Sequence, residues 1–149
     1  MTNKANPRGE FLMMAVPVAA NGGVGPISGD PLMFGKAGLH PYGTLAGVAS
    51  SSYTPPTGIP NPEGVGVDFI GVFFLTVIAL NGLSPASGAA LAPGDRVYAN
   101  GGTYDATTGC TYGFVLDNDV TNGEYFGNVL DAVVSGQTTT VRVRLKVTG

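Results

Sequence analysis

The residues that could do chemistry fall into a few short stretches. Gly29-Asp30-Pro31-Leu32-Met33-Phe34-Gly35-Lys36-Ala37 approaches a phosphate-binding loop. Its glycines stand one residue too far apart, Ala37 has no hydroxyl for magnesium, and Pro31 has no amide to point at phosphate. Gly64-Val65-Gly66-Val67-Asp68-Phe69 opens like a dinucleotide fingerprint but lacks the third glycine and a following helix. Asp117-Asn118-Asp119-Val120-Thr121-Asn122-Gly123-Glu124 gathers oxygen ligands of the kind calcium takes. Its glycine falls one place late for an EF-hand loop and the distal Glu is missing. The stretch therefore reads first as a hairpin end with Asn122-Gly123 at its tip, with calcium binding left open as the alternative.

Acid-base and nucleophilic chemistry have as little support. Asp30 and Asp95 follow a glycine in turns, where an Asp side chain hydrogen-bonds nearby amides, so both have a structural role. Asp68 and Asp105 add no assigned partner at a usable separation. Cys110 stands alone, which excludes an internal disulfide and a cysteine metal cluster, and it reads as a small buried hydrophobe. The one histidine, His40, is followed by Pro41. No catalytic residue, metal or cofactor is expected, and the chain does not read as an enzyme.

Composition narrows the class further. The 149 residues suit one domain, and 24 Gly and 11 Pro beside an ordinary apolar fraction indicate many turns around a real core. Charged residues make up 11% of the chain, far below the roughly 25% of a typical soluble domain. A surface so poor in charge points to an exterior that meets other protein. The net charge of −3 argues against nucleic acid as partner. The apolar run from Phe69 to Leu80 is shorter than the roughly 20 residues of a spanning helix, and no membrane partner is expected. Lys4 and Arg8 before Phe11 to Ala20 imitate a signal peptide, a match weakened by Glu10 and Pro17.

The elements that must position these residues are strands. Ser28-Gly29-Asp30-Pro31-Leu32-Met33-Phe34 returns as Pro93-Gly94-Asp95-Arg96-Val97-Tyr98, each a tight turn opening a short apolar strand. Aromatic-glycine stretches follow each copy, Tyr42-Gly43-Thr44-Leu45 and Tyr112-Gly113-Phe114-Val115. Strands are predicted at about 32–35, 43–49, 65–78, 96–99, 103–106, 111–117, 124–134 and 140–147, with hairpin turns at Asn100-Gly101 and Asn122-Gly123. The last strand alternates Val141, Val143, Leu145 and Val147 with Arg142, Arg144 and Lys146, giving one buried and one basic face. That basic face is either a solvated surface paired with nearby acids or a docking face for an acidic partner. Residues 1–23 read as an extended N-terminal arm, and 24–149 as a single all-β, barrel-like domain of short hairpins. Pro55, Pro56, Pro60 and Pro62 make 50–62 a long loop.

The ordered pattern resembles a known family. Gly29 to Phe34, Ala46-Gly47-Val48-Ala49 and Val67-Asp68-Phe69-Ile70-Gly71-Val72-Phe73 match its front half. Leu91-Ala92-Pro93-Gly94-Asp95-Arg96-Val97-Tyr98, Tyr112 to Leu116 and Val141 to Leu145 match its back half. The chain resembles the tailed-phage capsid decoration, or cement, proteins, which often carry the label of phage-associated recombinase. The resemblance implies a β-tulip-like barrel, made in the host cytoplasm, that sits as a homotrimer on the outside of a mature head. It implies contact with the major capsid protein at threefold and quasi-threefold positions, stabilising the shell. It also implies that the arm makes capsid contacts. Lys4, Arg8, Phe11, Leu12, Met13 and Met14 are the residues expected to meet capsid or a neighbouring subunit, by strand addition to that neighbour. Arg142, Arg144 and Lys146 are the candidate docking face. An alternative is a secreted or surface-exposed β-domain for adhesion or carbohydrate binding, using an exposed tyrosine platform.

Overall fold

The two Gly-Asp turns build the fold in the same way. Asp30 N–H donates to Ile27 O and Asp95 N–H to Ala92 O, both at 3.0 Å, closing a four-residue turn. Gly29 and Gly94 hold φ of 97° and 99°, the left-handed value that the third position of a type II turn requires. The Asp side chain braces each turn from within. Ile27 N–H reaches Asp30 Oδ2 at 2.9 Å, and Ala92 N–H reaches Asp95 Oδ2 at 2.8 Å. Each turn then grips one residue of the next strand over. Gly29 N–H and Asp30 O bracket Ala49 (2.8 and 2.9 Å), and Gly94 N–H and Asp95 O bracket Val129 (2.7 and 2.9 Å).

A computed structural model describes residues 25–35, 45–50, 65–80 and 89–147, together with the backbone of 11–14. In chain order the strands are β1 (Phe11–Met14), β2 (Pro31–Phe34), β3 (Leu45–Ala49), β4 (Val65–Asp68), β5 (Val72–Ile78) and β6 (Arg96–Asn100). They continue as β7 (Thr103–Asp105), β8 (Cys110–Tyr112), β9 (Val115–Asp117), β10 (Glu124–Val129) and β11 (Thr138–Leu145). The described chain is all-β. One sheet is open, in the order β1-β4-β3-β2-β8-β7, and the other closes into a barrel, β10-β11-β5-β9-β6.

The bracketing turns give the two sheets a shared plan. The open sheet contains β8-β2-β3-β4, and the barrel contains β9-β6-β10-β11, all antiparallel and in matching register up to a bulge between Tyr125 and Gly127. Leu32 faces Gly47 as Val97 faces Gly127. The two glycines also share a reason. A Cβ on Gly47 would lie 2.5 Å from Val67 Cγ1, and one on Gly127 would collide with the Arg144 carbonyl oxygen. The structural counterpart of β3 is therefore β10, not the Tyr112 stretch that its sequence resembles.

The central strands of the open sheet carry buried residues on both faces. Met33, Ala46 and Val48 join the main core with Val77, Val97, Leu116, Phe126 and Val143 from the barrel. Leu32, Phe34, Ala49, Val67, Phe69 and Cys110 form a second cluster on the other side.

Several expected boundaries are corrected by the way the chain moves between sheets. The strand expected over 65–78 divides at Gly71 (φ 139°), where the chain leaves the open sheet as β4 and enters the barrel as β5. The strand expected over 111–117 divides at Gly113 (φ 71°) for the same reason, between β8 and β9. Asn100-Gly101 is a crossing from barrel to sheet, since β6 and β7 do not pair. Asn122-Gly123 is not a hairpin tip either: β9 and β10 do not pair, and Gly123 is required because a Cβ would fall 2.6 Å from Tyr98 Cβ. The strand expected over 124–134 stops at Val129, and Val147 is exposed, outside the alternation that buries Val141, Val143 and Leu145. The arm expected over 1–23 is not separate from the fold throughout. Phe11–Met14 pair antiparallel with Val65–Asp68 of the same chain, forming the end strand of the open sheet.

Gly127→Ala is expected to lower stability by about 3 kcal/mol, because the methyl meets backbone that cannot yield. Gly101→Ala, with φ 73° and open space around it, is expected to cost only about 1–2 kcal/mol. Urea unfolding of both variants measures the difference, and equal losses would remove the close-approach argument.

Candidate functional site

Two grooves lie beside the barrel and the open sheet. A groove of about 200 Å³ is lined by Pro26, Asp30, Pro31, Leu32, Tyr112 and Phe114, among others. A second, of about 300 Å³, lies between the Gly29–Pro31 turn and the Phe74, Thr76 and Val115 side chains. Asp30 is the one carboxylate on either lining, and its Oδ2 already accepts the Ile27 amide. The stretch tested as a phosphate-binding loop is a turn and strand β2 over its described part, 29–35; Lys36, Ala37 and His40 lie outside the described residues.

The Asp117–Glu124 stretch is organised by its own hydrogen bonds. Asp117 Oδ1 accepts the Asn100 amide and the Asp119 N–H (2.9 Å). Asp119 accepts Thr121 N–H (3.0 Å), Asn122 N–H (3.2 Å) and Asn122 Nδ2 (2.9 Å). The carboxylates thus act as turn-formers joining β9 to β10. Burial pushes the Asp117 carboxyl above its usual range, only partly offset by the Asp119 and Asn100 hydrogen bonds. Cys110 is fully buried in β8, where burial first and the Asp105 charge second push its thiol up to about 12. Its expected role as a small core residue is what the structure shows.

The surface that stands out is the outer wall of the barrel. Strand alternation sends Val97, Ala99, Val141, Val143 and Leu145 inward and leaves Arg96, Arg142 and Arg144 exposed. Beside them on β5, Val72 is 49% and Phe74 73% exposed, and Val115 of β9 is 45% exposed. Val72 faces Arg144 and Phe74 faces Arg142 across the β5–β11 pair. A phenylalanine so open on a regular strand packs little against the described residues, and together with its valine neighbours it forms an apolar strip.

The three residues expected to form a docking face lie on this wall, but their surroundings differ. Arg142 is taken by Asp131, with Nη2 to Oδ1 at 2.6 Å, Nε to Oδ2 at 3.0 Å and its backbone N–H to Oδ2 at 2.9 Å. These bonds hold the Asp131 carboxyl down at about 2. Lys146 is half-buried with its ammonium 5.9 Å from the Tyr125 ring centroid, and burial lowers its affinity for a proton despite the nearby Glu124. Arg144 alone of the three remains open. The sequence reading missed Arg96, and it named Tyr98 and Tyr125 only among the tyrosines of a possible aromatic platform. The Arg96 guanidinium lies 5.0 Å from the Tyr125 centroid, and the Tyr98 and Tyr125 rings are 6.2 Å apart. Alternation along Arg96-Val97-Tyr98-Ala99 carried that signal; the irregular register between Tyr125 and Gly127 hid its partner.

Among the residues expected to contact a neighbour, Lys4 and Arg8 lie outside the described residues. Phe11–Met14 are placed as backbone only, on the edge next to β4. The Pro-rich loop lies outside them beyond Ser50. No family model matches the chain, and neither a curated protein nor a solved structure matches it.

Two measurements check these assignments. Cys110 is expected to resist iodoacetamide at pH 8 in the folded protein and to react only after denaturation; rapid labelling of native protein would contradict its burial. Because the folded-state carboxyl of Asp131 is depressed, its pairing contributes above the ordinary Asp range, near pH 4, and is lost as pH falls toward 2. In Arg142→Gln the Asp131 resonance, followed by NMR, is expected to titrate near 4 instead of about 2.

Proposed function

We propose that this chain is a structural virion protein that binds the outside of a tailed-phage head as a homotrimer at threefold and quasi-threefold positions and stabilises the mature shell. The observation that carries the reading is the exposed Val72–Phe74–Val115 strip on the barrel wall of a chain with only 11% charged residues. Apolar side chains on a rigid wall gain most when another protein covers them. The Gly-Asp turns that carry the resemblance are the bracing units of both sheets, which supports the same reading. The adhesion alternative needs an open aromatic platform. On the barrel wall the Tyr125 ring already has Arg96 and Lys146 over it, which disfavours sugar stacking there.

Purified protein at micromolar concentration is expected to sediment as three 15.1 kDa chains and to co-sediment with undecorated, expanded heads. Burying a Phe side chain is worth roughly 1.5–3 kcal/mol. Phe74→Asp is therefore expected to weaken head binding at least tenfold, about 1.4 kcal/mol, with an unchanged circular dichroism spectrum. A monomer that leaves heads bare would sink the proposal.

A further inference from the structure

We infer that the barrel wall carries a carboxylate-binding face, centred on Arg96 and Arg144, that takes an acidic segment of another protein. The register sets Arg96 of β6, Asn128 of β10 and Arg144 of β11 in one row across neighbouring strands. Directly opposed residues on adjacent strands have Cβ atoms about 4.5–5.5 Å apart, so the two arginine stems rise roughly 10 Å from each other. Asn128 braces the row. Its Oδ1 accepts the Tyr125 hydroxyl, and its Nδ2 donates to Gly94 O at 2.8 Å. The turn that brackets Val129 thereby also fixes the floor of this face.

The two arginines differ from Arg142 in what they are given. Arg142 meets Asp131, whereas Arg96 and Arg144 form no ion pair with another described residue. Arg96 is steadied over the Tyr125 ring at 5.0 Å, a contact that orients a guanidinium while leaving its N–H edge available. Lys146 adds a charge beside the same ring at 5.9 Å, moderated by Glu124. The chain is acidic overall at −3, yet every described cation (Arg96, Arg142, Arg144 and Lys146) lies on this one wall. Such segregation is the complement of a carboxylate-bearing partner, and a guanidinium fork matches a carboxylate in two parallel hydrogen bonds.

A protein segment is favoured over a nucleic acid or a lipid surface. The row continues from Arg144 to Val72, and Phe74 lies alongside, so an occupant must cover apolar side chains while pairing two charges. A polyphosphate gains mainly from many neutralised charges, and this patch offers only a few cations beside apolar side chains. The inference stands beside the shell reading and does not depend on it, since any acidic protein partner satisfies it.

Fluorescence anisotropy of the full chain with a labelled oligoglutamate peptide at low salt tests the face without a capsid. Binding is expected to weaken as salt rises. It should fall at least tenfold in the Arg96→Gln/Arg144→Gln double variant, about 1.4 kcal/mol. Arg142→Gln is expected to change it by less than about threefold, because an exposed pair already occupies that side chain. Absence of peptide binding, an unchanged double variant, or an equal loss in Arg142→Gln would overturn the inference. Tighter binding of single-stranded oligonucleotide or of phosphatidylglycerol vesicles than of the peptide would overturn it too. Should the double variant melt early, Arg144→Gln alone, which leaves the Tyr125 contacts intact, is expected to lose at least about threefold, and no loss there counts against the face.

Discussion

Two residues, a glycine with positive φ and the aspartate after it, hold each half of this molecule in register. The glycine amide and the aspartate carbonyl grip opposite sides of one residue in the adjoining strand, Ala49 in one copy and Val129 in the other. Each bond contributes on the order of 0.5–1.5 kcal/mol net. Their larger effect is geometric, because side chains alternate faces along a strand. A slip of one residue would send Met33 and Val48, or Val97 and Val143, to the wrong side. The aspartate carboxylate, by capping Ile27 or Ala92 N–H, keeps the turn from opening. Two short sheets made of strands of three to eight residues thus acquire fixed pairing.

Closing one sheet into a barrel has a consequence for chemistry. The inward faces are filled by the apolar side chains of Val77, Val97, Leu116, Phe126 and Val143. The wall formed by β5, β11, β10 and β6 is where charge and exposed apolar area coincide. Phe74 beside Arg142 and Val72 beside Arg144 place an apolar strip against a cationic row, the composition of a protein-covered surface. Strand pairing around the closed barrel fixes that arrangement.

Much of this was legible in the residues. The Gly-Asp turns, the buried Cys110, the alternation from Val141 to Leu145 and the all-β class follow from local rules: positive φ for glycine, Asp hydrogen bonds to nearby amides, and a period of two. The boundaries at Gly71, Gly101 and Gly113 did not follow. A continuous apolar run such as Val65 to Ile78 reads the same whether it stays in one sheet or passes between two.

The sequence by itself therefore determined which way side chains face and where the chain turns, because those depend on neighbours a few residues away. Only the tertiary structure decided which strands pair. Pairing puts Gly127 of β10 in the place that Gly47 holds in β3, and it splits the runs at the crossings. It also decided which cations share a row. Arg142 looked equivalent to Arg144 until Asp131 was found beside it, and Arg96 joined the row only because β6 pairs with β10. Charge pairing and strand order are long-range properties, and one chain's periodicity carries no record of them.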